Sequence, residues 1–393
     1  MAKTLVHRES EPARVPFLRG ILTRSLQEAG LDFDDAYMVA SEVRDALRDE
    51  EEVTTDDIRA LVLPLLKPFG EDVEARYRQR RSAVPTVLVE HEDGHVVPFS
   101  RGRHRLALAP CGLSLDQRAK IAEYVHERLT RERVTEISSG ALGLLTYQVL
   151  AEEEGKPVAH RFAVWEEFRH TDRPLLMLVG GATGAGKSTI TTELSLRLDI
   201  VRAQSTDMLR EVMRMMIPQR LLPVLHLSSF HAWEAIPTTS RRSEEPDALL
   251  ADGYLSQLEL LSVACEAVFQ RALHERVSLI LEGVHVHPKL MESIPQGTDA
   301  IVVPVMLGVL NPDALKRRLR GRGKRVPGRR AKRYLKHFDD IWRLQSFLLS
   351  EADKAGVPIV TDEDVDEASQ EVLRIVLEEL GRHFQGKPNK VFA

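Results

Sequence analysis

The sequence predicts two copies of a mainly α-helical module, followed by an α/β domain whose mostly parallel sheet is covered by helices on both faces. Three observations predict this: an internal repeat in the first part of the chain, strands alternating with helices from Arg173 onward, and one glycine-rich segment, Gly181–Thr189, set between an apolar run and a helical segment. The 393 residues are 43% apolar and 29% charged, enough for two or three domains with cores of their own and too apolar for a disordered chain. Cys111 and Cys265 stand far apart, which excludes a disulfide framework and a zinc ribbon. No basic start with an apolar stretch follows Met1, and the longest apolar runs, such as 300–310, fall short of a bilayer. A soluble cytoplasmic protein without membrane contact is expected.

The repeat comes first in chain order. Val15-Pro16-Phe17-Leu18-Arg19-Gly20 recurs as Val97-Pro98-Phe99-Ser100-Arg101-Gly102, and Ala29-Gly30-Leu31 recurs as Cys111-Gly112-Leu113. Val43 and Leu47 match Val125 and Leu129. After a small insertion, Gly70, Val73, Arg76 and Tyr77 match Gly155, Val158, Arg161 and Phe162. Each copy is about 80 residues long, one fold used twice. An extended segment opens each copy (4–7 and 86–90), a polar turn leads to Val-Pro-Phe, and three helices follow, in the first copy near 19–28, 34–49 and 55–66. Thr54 before Thr55-Asp56-Asp57 is a helix cap with acids in the first turn, and Ile58, Leu61, Val62 and Leu65 share one face. Periodicity alone is equally satisfied by a plain helical module without a ligand.

This order of an extended lead, Val-Pro-Phe, an Arg two residues on, a Gly-Leu turn, a long helix, a Thr-capped helix and a final Ala-x-x-Tyr-like helix resembles the ATP-cone. That small helical domain binds adenine nucleotides as a regulatory module. Such cones carry a Lys-Arg-Asp-Gly-like lead, where this chain has His7-Arg8-Glu9-Ser10 and His91-Glu92-Asp93-Gly94. The second copy adds Arg103, His104 and Arg105 where the first has Ile21, Leu22 and Thr23. The resemblance implies two ATP-cone-like repeats at 1–83 and 84–170. Nucleotide binding is expected only in the second, with packing or homo-oligomer formation left to the first.

From Arg173 the pattern changes. Leu175–Val179 is a short apolar run of the kind that forms a buried parallel strand, and further strands are expected at 200–204, 277–281, 300–305 and 357–360. Helical segments lie between them at 188–198, 207–216, 255–274, 313–320 and 334–354. The α/β domain is expected to span 171–393.

Gly181-Ala182-Thr183-Gly184-Ala185-Gly186-Lys187-Ser188-Thr189 fits the phosphate-loop pattern Gly-x4-Gly-Lys-Ser. Glycines let the backbone wrap phosphate oxygens, and successive N–H groups at a helix start point at the anion. Lys187 is expected to reach the outer phosphates of ATP and Ser188 to hold Mg²⁺. The second strand leads into Ser205-Thr206-Asp207, with Arg210 and Arg214 following on one helical face. Asp207 either faces the acceptor hydroxyl or caps its helix. Glu282, ending the third apolar run, stands where an outer-sphere Mg²⁺ contact or a water contact is needed. His285 and His287 alternate after it and admit three readings: anion recognition, metal ligation or ordinary loop histidines. Between Lys316 and Lys336 lie twelve Lys and Arg and no acid, although the chain carries a formal charge of −5. That concentration suits a local polyanion site better than a nucleic-acid coat, and arginines such as Arg320 and Arg322 are expected in a lid over the transferring phosphoryl group, a basic surface or RNA strip being the alternative.

Gly180–Thr189, Ser205–Arg214, Leu-x-x-Ser-Ser-Phe-x-Ala-Trp (Leu225–Trp233) and Leu-Glu-Gly-Val-His (Leu281–His285) together resemble the 2-phosphoglycerate kinase family, from about Val87 to the end of the chain. The resemblance implies a phosphate-loop (P-loop) kinase moving the γ-phosphoryl of Mg·ATP to a small anionic substrate, 2-phosphoglycerate, to give 2,3-bisphosphoglycerate and ADP. Lys187, Asp207, Arg320 and Arg322 are then the catalytic candidates. Arg210, Arg214, His226, His231 and His285 are the candidate cations or donors for the acceptor, and Ser188 and Glu282 the metal candidates. Two rivals stand beside this reading: a kinase for another acceptor such as a phosphosugar, a glycerate-containing osmolyte or a polynucleotide end, and a nucleotide-sensing regulator whose core only switches conformation.

Overall fold

The computed structural model describes residues 4–8, 11–48, 50–79, 87–237, 239, 245–325, 329–361 and 364–393, with the side chains of 7–16 and 322–331 outside that description. Contacts divide the chain into two compact units, 1–86 and 87–393.

The first unit runs β1 (Leu5–Arg8), β2 (Glu11–Pro16), α1 (Arg19–Ala29), α2 (Phe33–Ala46), β3 (Glu52–Thr54), α3 (Thr55–Leu66) and α4 (Glu71–Gln79). β1 pairs antiparallel with β2 and parallel with β3. Thr54 and Asp57 form a reciprocal capping box, so the expected start of α3 is met by two satisfied backbone donors. The helices bury Leu26, Val39, Val43, Val62 and Leu66 against one another.

The second unit opens on the same plan: β4 (Leu88–Glu90), β5 (Val96–Pro98), α5 (Arg101–Ala107), α6 (Leu115–Arg131), β6 (Glu136–Ser138), α7 (Ser139–Glu153) and α8 (Lys156–Arg169). β4 again pairs antiparallel with β5 and parallel with β6. Each copy thus adds two strands and a fourth helix to the elements expected. The matched residues do matched work. Gly30 and Gly112 both take left-handed backbone at a turn. The guanidinium of Arg76 lies against Gly30, and Arg161 Nε donates to the Cys111 carbonyl at 3.2 Å, one residue before Gly112. His104, expected among phosphate-facing donors, is instead buried where the first copy has Leu22. Its Nε2 lies 3.2 Å from Thr146 Oγ1, whose hydroxyl donates to Leu142 O. Burial holds its pKa down to about 4, so it stays neutral at physiological pH.

The remainder is a five-stranded sheet in the order β11-β10-β7-β9-β8, parallel throughout: β7 (Leu175–Gly181), β8 (Arg202–Ser205), β9 (Leu279–Gly283), β10 (Ile301–Leu307) and β11 (Ile359–Val360). Between the strands run α9 (Lys187–Arg197), α10 (Thr206–Met216), α11 (Pro223–His226), α12 (Pro246–His274), α13 (Pro312–Arg325), α14 (Arg329–Lys336) and α15 (Phe338–Lys354). After β11 come α16 (Val365–His383) and α17 (Pro388–Val391). The expected helix at 334–354 is broken at His337, where φ −110° and ψ 33° leave helical geometry before Asp339 and Asp340 start a new first turn. α16 is a further addition, capped by Asp364, whose carboxylate accepts from the N–H of Asp366 and Glu367.

Alternation along β7 explains the layering. Leu176 and Leu178 face α12, α13 and α15, while Leu175, Met177 and Val179 face α8, α9 and α16. Both faces of the sheet are therefore covered. α8, the last helix of the second repeat, supplies Val164, Trp165 and Phe168 to the sheet core. The repeat and the sheet share an element, and that is why they form one unit. Cys111 and Cys265 are buried and unpaired. Among the described residues, no helix is long and apolar enough to cross a membrane.

Candidate active site

Parallel strands end together, so the loops after β7, β8 and β9 meet on one edge of the sheet. Strand register puts Val179 and Ser205 level with Glu282 on either side of β9. The loop after β7 turns through Gly184 (φ +95°) and Gly186 (φ +98°), conformations that glycine adopts without steric cost. A Cβ at Gly184 would also lie 2.8 Å from Leu315 of α13. Lys187 begins α9, is buried, and donates from Nζ to Ala182 O at 3.1 Å. The loop thereby folds back over its own lysine.

Ser188 Oγ donates to Glu282 Oε1 at 3.0 Å, joining the loop to the acid at the end of β9. Neighbouring ligands of an octahedral Mg²⁺ with bonds of 2.0–2.1 Å lie about 2.9 Å apart, so this oxygen pair fits a magnesium ion. Beside the loop, Gly184, Gly186, Thr189, Arg318, Val360 and Asp364 help line a cavity of about 260 Å³. Arg318 NH1 donates to Ala185 O at 3.1 Å, so α13 reaches the loop through this arginine. Arg320 is exposed on the same helix, and the side chain of Arg322 lies outside the described residues.

At the end of β8 the structure separates two roles. Ser205 is the cap: its hydroxyl accepts from Asp207 N–H at 3.2 Å. Asp207 is not the cap; its carboxylate is exposed and lies 3.8 Å from Arg210 NH2. Arg210 NH1 points to Leu227 O at 3.3 Å and Gln257 Oε1 at 3.5 Å, while its Nε–H is buried without a partner. Arg214 pairs with Glu211 at 2.6 Å and likewise keeps a buried, unpartnered Nε–H. Two guanidiniums on one helix thus each keep an unfilled buried donor.

His285 is fully buried. The Gln257 amide nitrogen donates to Val224 O at 2.6 Å and Leu227 O at 3.2 Å, which turns its oxygen toward His285 Nε2, 2.7 Å away. Nε2 must then carry the proton, and Nδ1 is left as an unpartnered acceptor. Burial first, then the Arg210 and Lys187 charges, hold the His285 pKa down to about 3. The expected cation is therefore a neutral ring. His287 turns toward Glu351, with Nε2 3.8 Å from its carboxylate, and its ring and that of His285 both lie against Tyr254. His226 donates to Ile217 O at 2.9 Å and closes the turn after α10. His231 Nε2 lies 3.1 Å from Asp340 Oδ2. The structure thus brings Lys187, Ser188, Glu282, Asp207, Arg210 and His285 together, and engages His226 and His231 in loop contacts. Gln257 and Arg318 are additional participants. Arg318 sat unmarked in a run of twelve basic residues, and nothing around Gln257 in α12 signals its role.

No protein-family model matches the chain. It is 33% identical over 300 residues to the 2-phosphoglycerate kinase of Pyrococcus horikoshii, covering 76% of this chain and 96% of that protein. The chain belongs to the 2-phosphoglycerate kinase family. The Pyrococcus furiosus and Methanocaldococcus jannaschii proteins of the same name are each 33% identical over 293 residues, covering 94% and 92% of their lengths. A kinase of this family is a phosphotransferase.

Proposed function

We propose that the chain transfers the γ-phosphoryl group of Mg·ATP to the free hydroxyl of 2-phosphoglycerate, giving 2,3-bisphosphoglycerate and ADP. One observation carries this reading: Ser188 and Glu282 meet at 3.0 Å, with Asp207 and Arg210 at the end of the neighbouring strand, so donor and acceptor groups share one edge of the sheet. When bound, the magnesium ion neutralises phosphate charge; Ser188 and Glu282 are the residues to hold it. Backbone N–H groups of 181–189 cradle the phosphates, and Lys187 carries the positive charge inside the loop. Asp207 takes the proton as the acceptor oxygen attacks phosphorus and the bond to the ADP oxygen breaks. Arg210 and Arg214 hold the acceptor's anionic groups through their free Nε–H donors. Arg318 ties the basic helix to the phosphate cradle, and Arg320 and Arg322 belong to the same candidate lid. The relatives' printed name supplies the acceptor; the guanidinium pair independently favours an anion.

The test is ³¹P NMR of a reaction with ATP and 2-phosphoglycerate, beside 3-phosphoglycerate, glycerate and a phosphosugar. The expected result is a new phosphomonoester resonance on 2-phosphoglycerate with equimolar ADP. Equal or faster transfer to another acceptor would replace the substrate and keep the kinase.

A further inference from the structure

Away from the loop of 181–189, three ligand-type side chains converge. His231 stands just before the short turn of 3₁₀ helix at Ala232–Ala235, His337 at the break between α14 and α15, and Asp340 in the first turn of α15. His231 Nε2 lies 3.1 Å from Asp340 Oδ2, and His337 Nδ1 lies 3.6 Å from the same oxygen. The donor atoms of all three fall within 4.8 Å of one another. Adjacent ligands of a tetrahedral ion with bonds of 2.0–2.1 Å sit about 3.3 Å apart, so small side-chain shifts close this cluster on an ion. The two imidazoles meet edge to face, centroids 4.4 Å apart at 88°. The other nitrogen of His231 lies 3.8 Å from Glu234, an ion-pair rather than a hydrogen-bond distance.

We propose that His231, His337 and Asp340 bind one first-row transition ion, Zn²⁺ by preference, with a fourth position open to solvent. Two imidazoles and a single carboxylate suit such an ion and not Mg²⁺, which takes oxygen ligands. This separates the site chemically from the Ser188–Glu282 pair. The ion joins two parts of the unit: the loop of 226–235, whose Leu227 carbonyl receives Arg210, and the junction where α14 ends. Arg333 NH2 already donates from the basic helix to Ser228 Oγ of that loop at 3.0 Å. Binding therefore fixes the acceptor-side loop against the end of the basic helices.

The experiment uses the full chain freed of metal with a chelator, without nucleotide. Zn²⁺ is titrated by calorimetry, and Co²⁺ is followed by its visible absorption. The expected result is one Zn²⁺ site per chain, indifferent to millimolar Mg²⁺, with intense tetrahedral Co²⁺ bands. His337→Ala is expected to weaken binding at least tenfold and abolish those bands. Asp340→Asn, which keeps the shape of the side chain, is expected to do the same in a chain whose circular dichroism is unchanged. No binding by the wild-type chain, or binding and Co²⁺ spectra that survive both substitutions, overturns the proposal.

Discussion

At Asp207 the division of labour with Ser205 makes a clean substitution possible. Because Ser205 supplies the cap, Asp207→Asn removes a charge without removing the helix cap. The expected outcome is a fall in kcat of roughly 10²–10⁴ with ATP affinity little changed, measured by steady-state kinetics and nucleotide titration. A collapse of ATP binding would reassign Asp207 to the nucleotide side. The buried histidines give a second residue-level expectation. His104, His285 and His287 are held at about 4, 3 and 4, chiefly by burial. Their folded pKa values lie below the unfolded one, so the unfolded chain takes up protons first; the stability they contribute is full above about pH 6.5 and is lost as pH falls toward 4. The slope approaches about 4 kcal/mol per pH unit when all three protons count. Urea midpoints at pH 7.5 and 5 should differ accordingly, and His104→Leu, the residue type of the first repeat, should flatten the dependence. An acid stability unchanged by that substitution would contradict the buried assignment. The meeting of Lys187, Ser188 and Asp207 at the strand ends was legible in the sequence, because the glycine pattern and the extended runs before them mark where the strands stop. The neutrality of His285 was not, because it depends first on burial and then on the Arg210 and Lys187 charges, which only the folded packing brings to it.

Among the elements, α12 sets the acceptor-side loop through one small residue. A Cβ at Gly253 would stand 2.1 Å from Trp233 N and 2.4 Å from its Cα, so this turn of the helix and the loop backbone touch directly. Gly253→Ala must push the loop away. It is expected to cost about 1–3 kcal/mol in stability, read as a lowered melting temperature, and to raise the acceptor KM more than the ATP KM. An unchanged melting temperature and unchanged kinetics would show that the loop adapts freely. The five strands of the sheet were readable as short apolar runs and most long helices from period and capping, although α12 begins at Pro246, ahead of the expected 255. The three-residue strands Glu52–Thr54 and Glu136–Ser138 are too short to show a period, and their existence follows from pairing with β1 and β4. The break at His337 carries no Gly or Pro to announce it. α16 is a different case: Val372, Leu373, Val376, Leu377 and Leu380 recur at helical spacing, yet it was not among the expected elements.

On the scale of the whole molecule, the shared helix α8 decides what can be cut. Residues 87–393 contain the sheet with both of its helical covers, and are expected to fold and keep kinase activity alone. A chain starting at 171 loses Val164, Trp165 and Phe168 from the sheet core and should expose that face, giving aggregation on size-exclusion chromatography. Soluble, active protein from residue 171 would show that the second repeat is dispensable to the fold. The repeat itself was legible from matched Val-Pro-Phe and glycine positions; its union with the sheet was not, because the sequence of α8 does not say which partner its apolar residues meet. The central claim is that the groups around the loop of 181–189 transfer phosphoryl to a small phosphorylated acid. The most direct measurement is ADP release with and without 2-phosphoglycerate, by the wild-type chain and by Lys187→Ala, each checked by circular dichroism. Release that requires the acceptor, and that falls by at least about 10³-fold in a folded Lys187→Ala chain, is the predicted result; turnover within about tenfold of wild type in that variant, or ADP release indifferent to the acceptor, would contradict it.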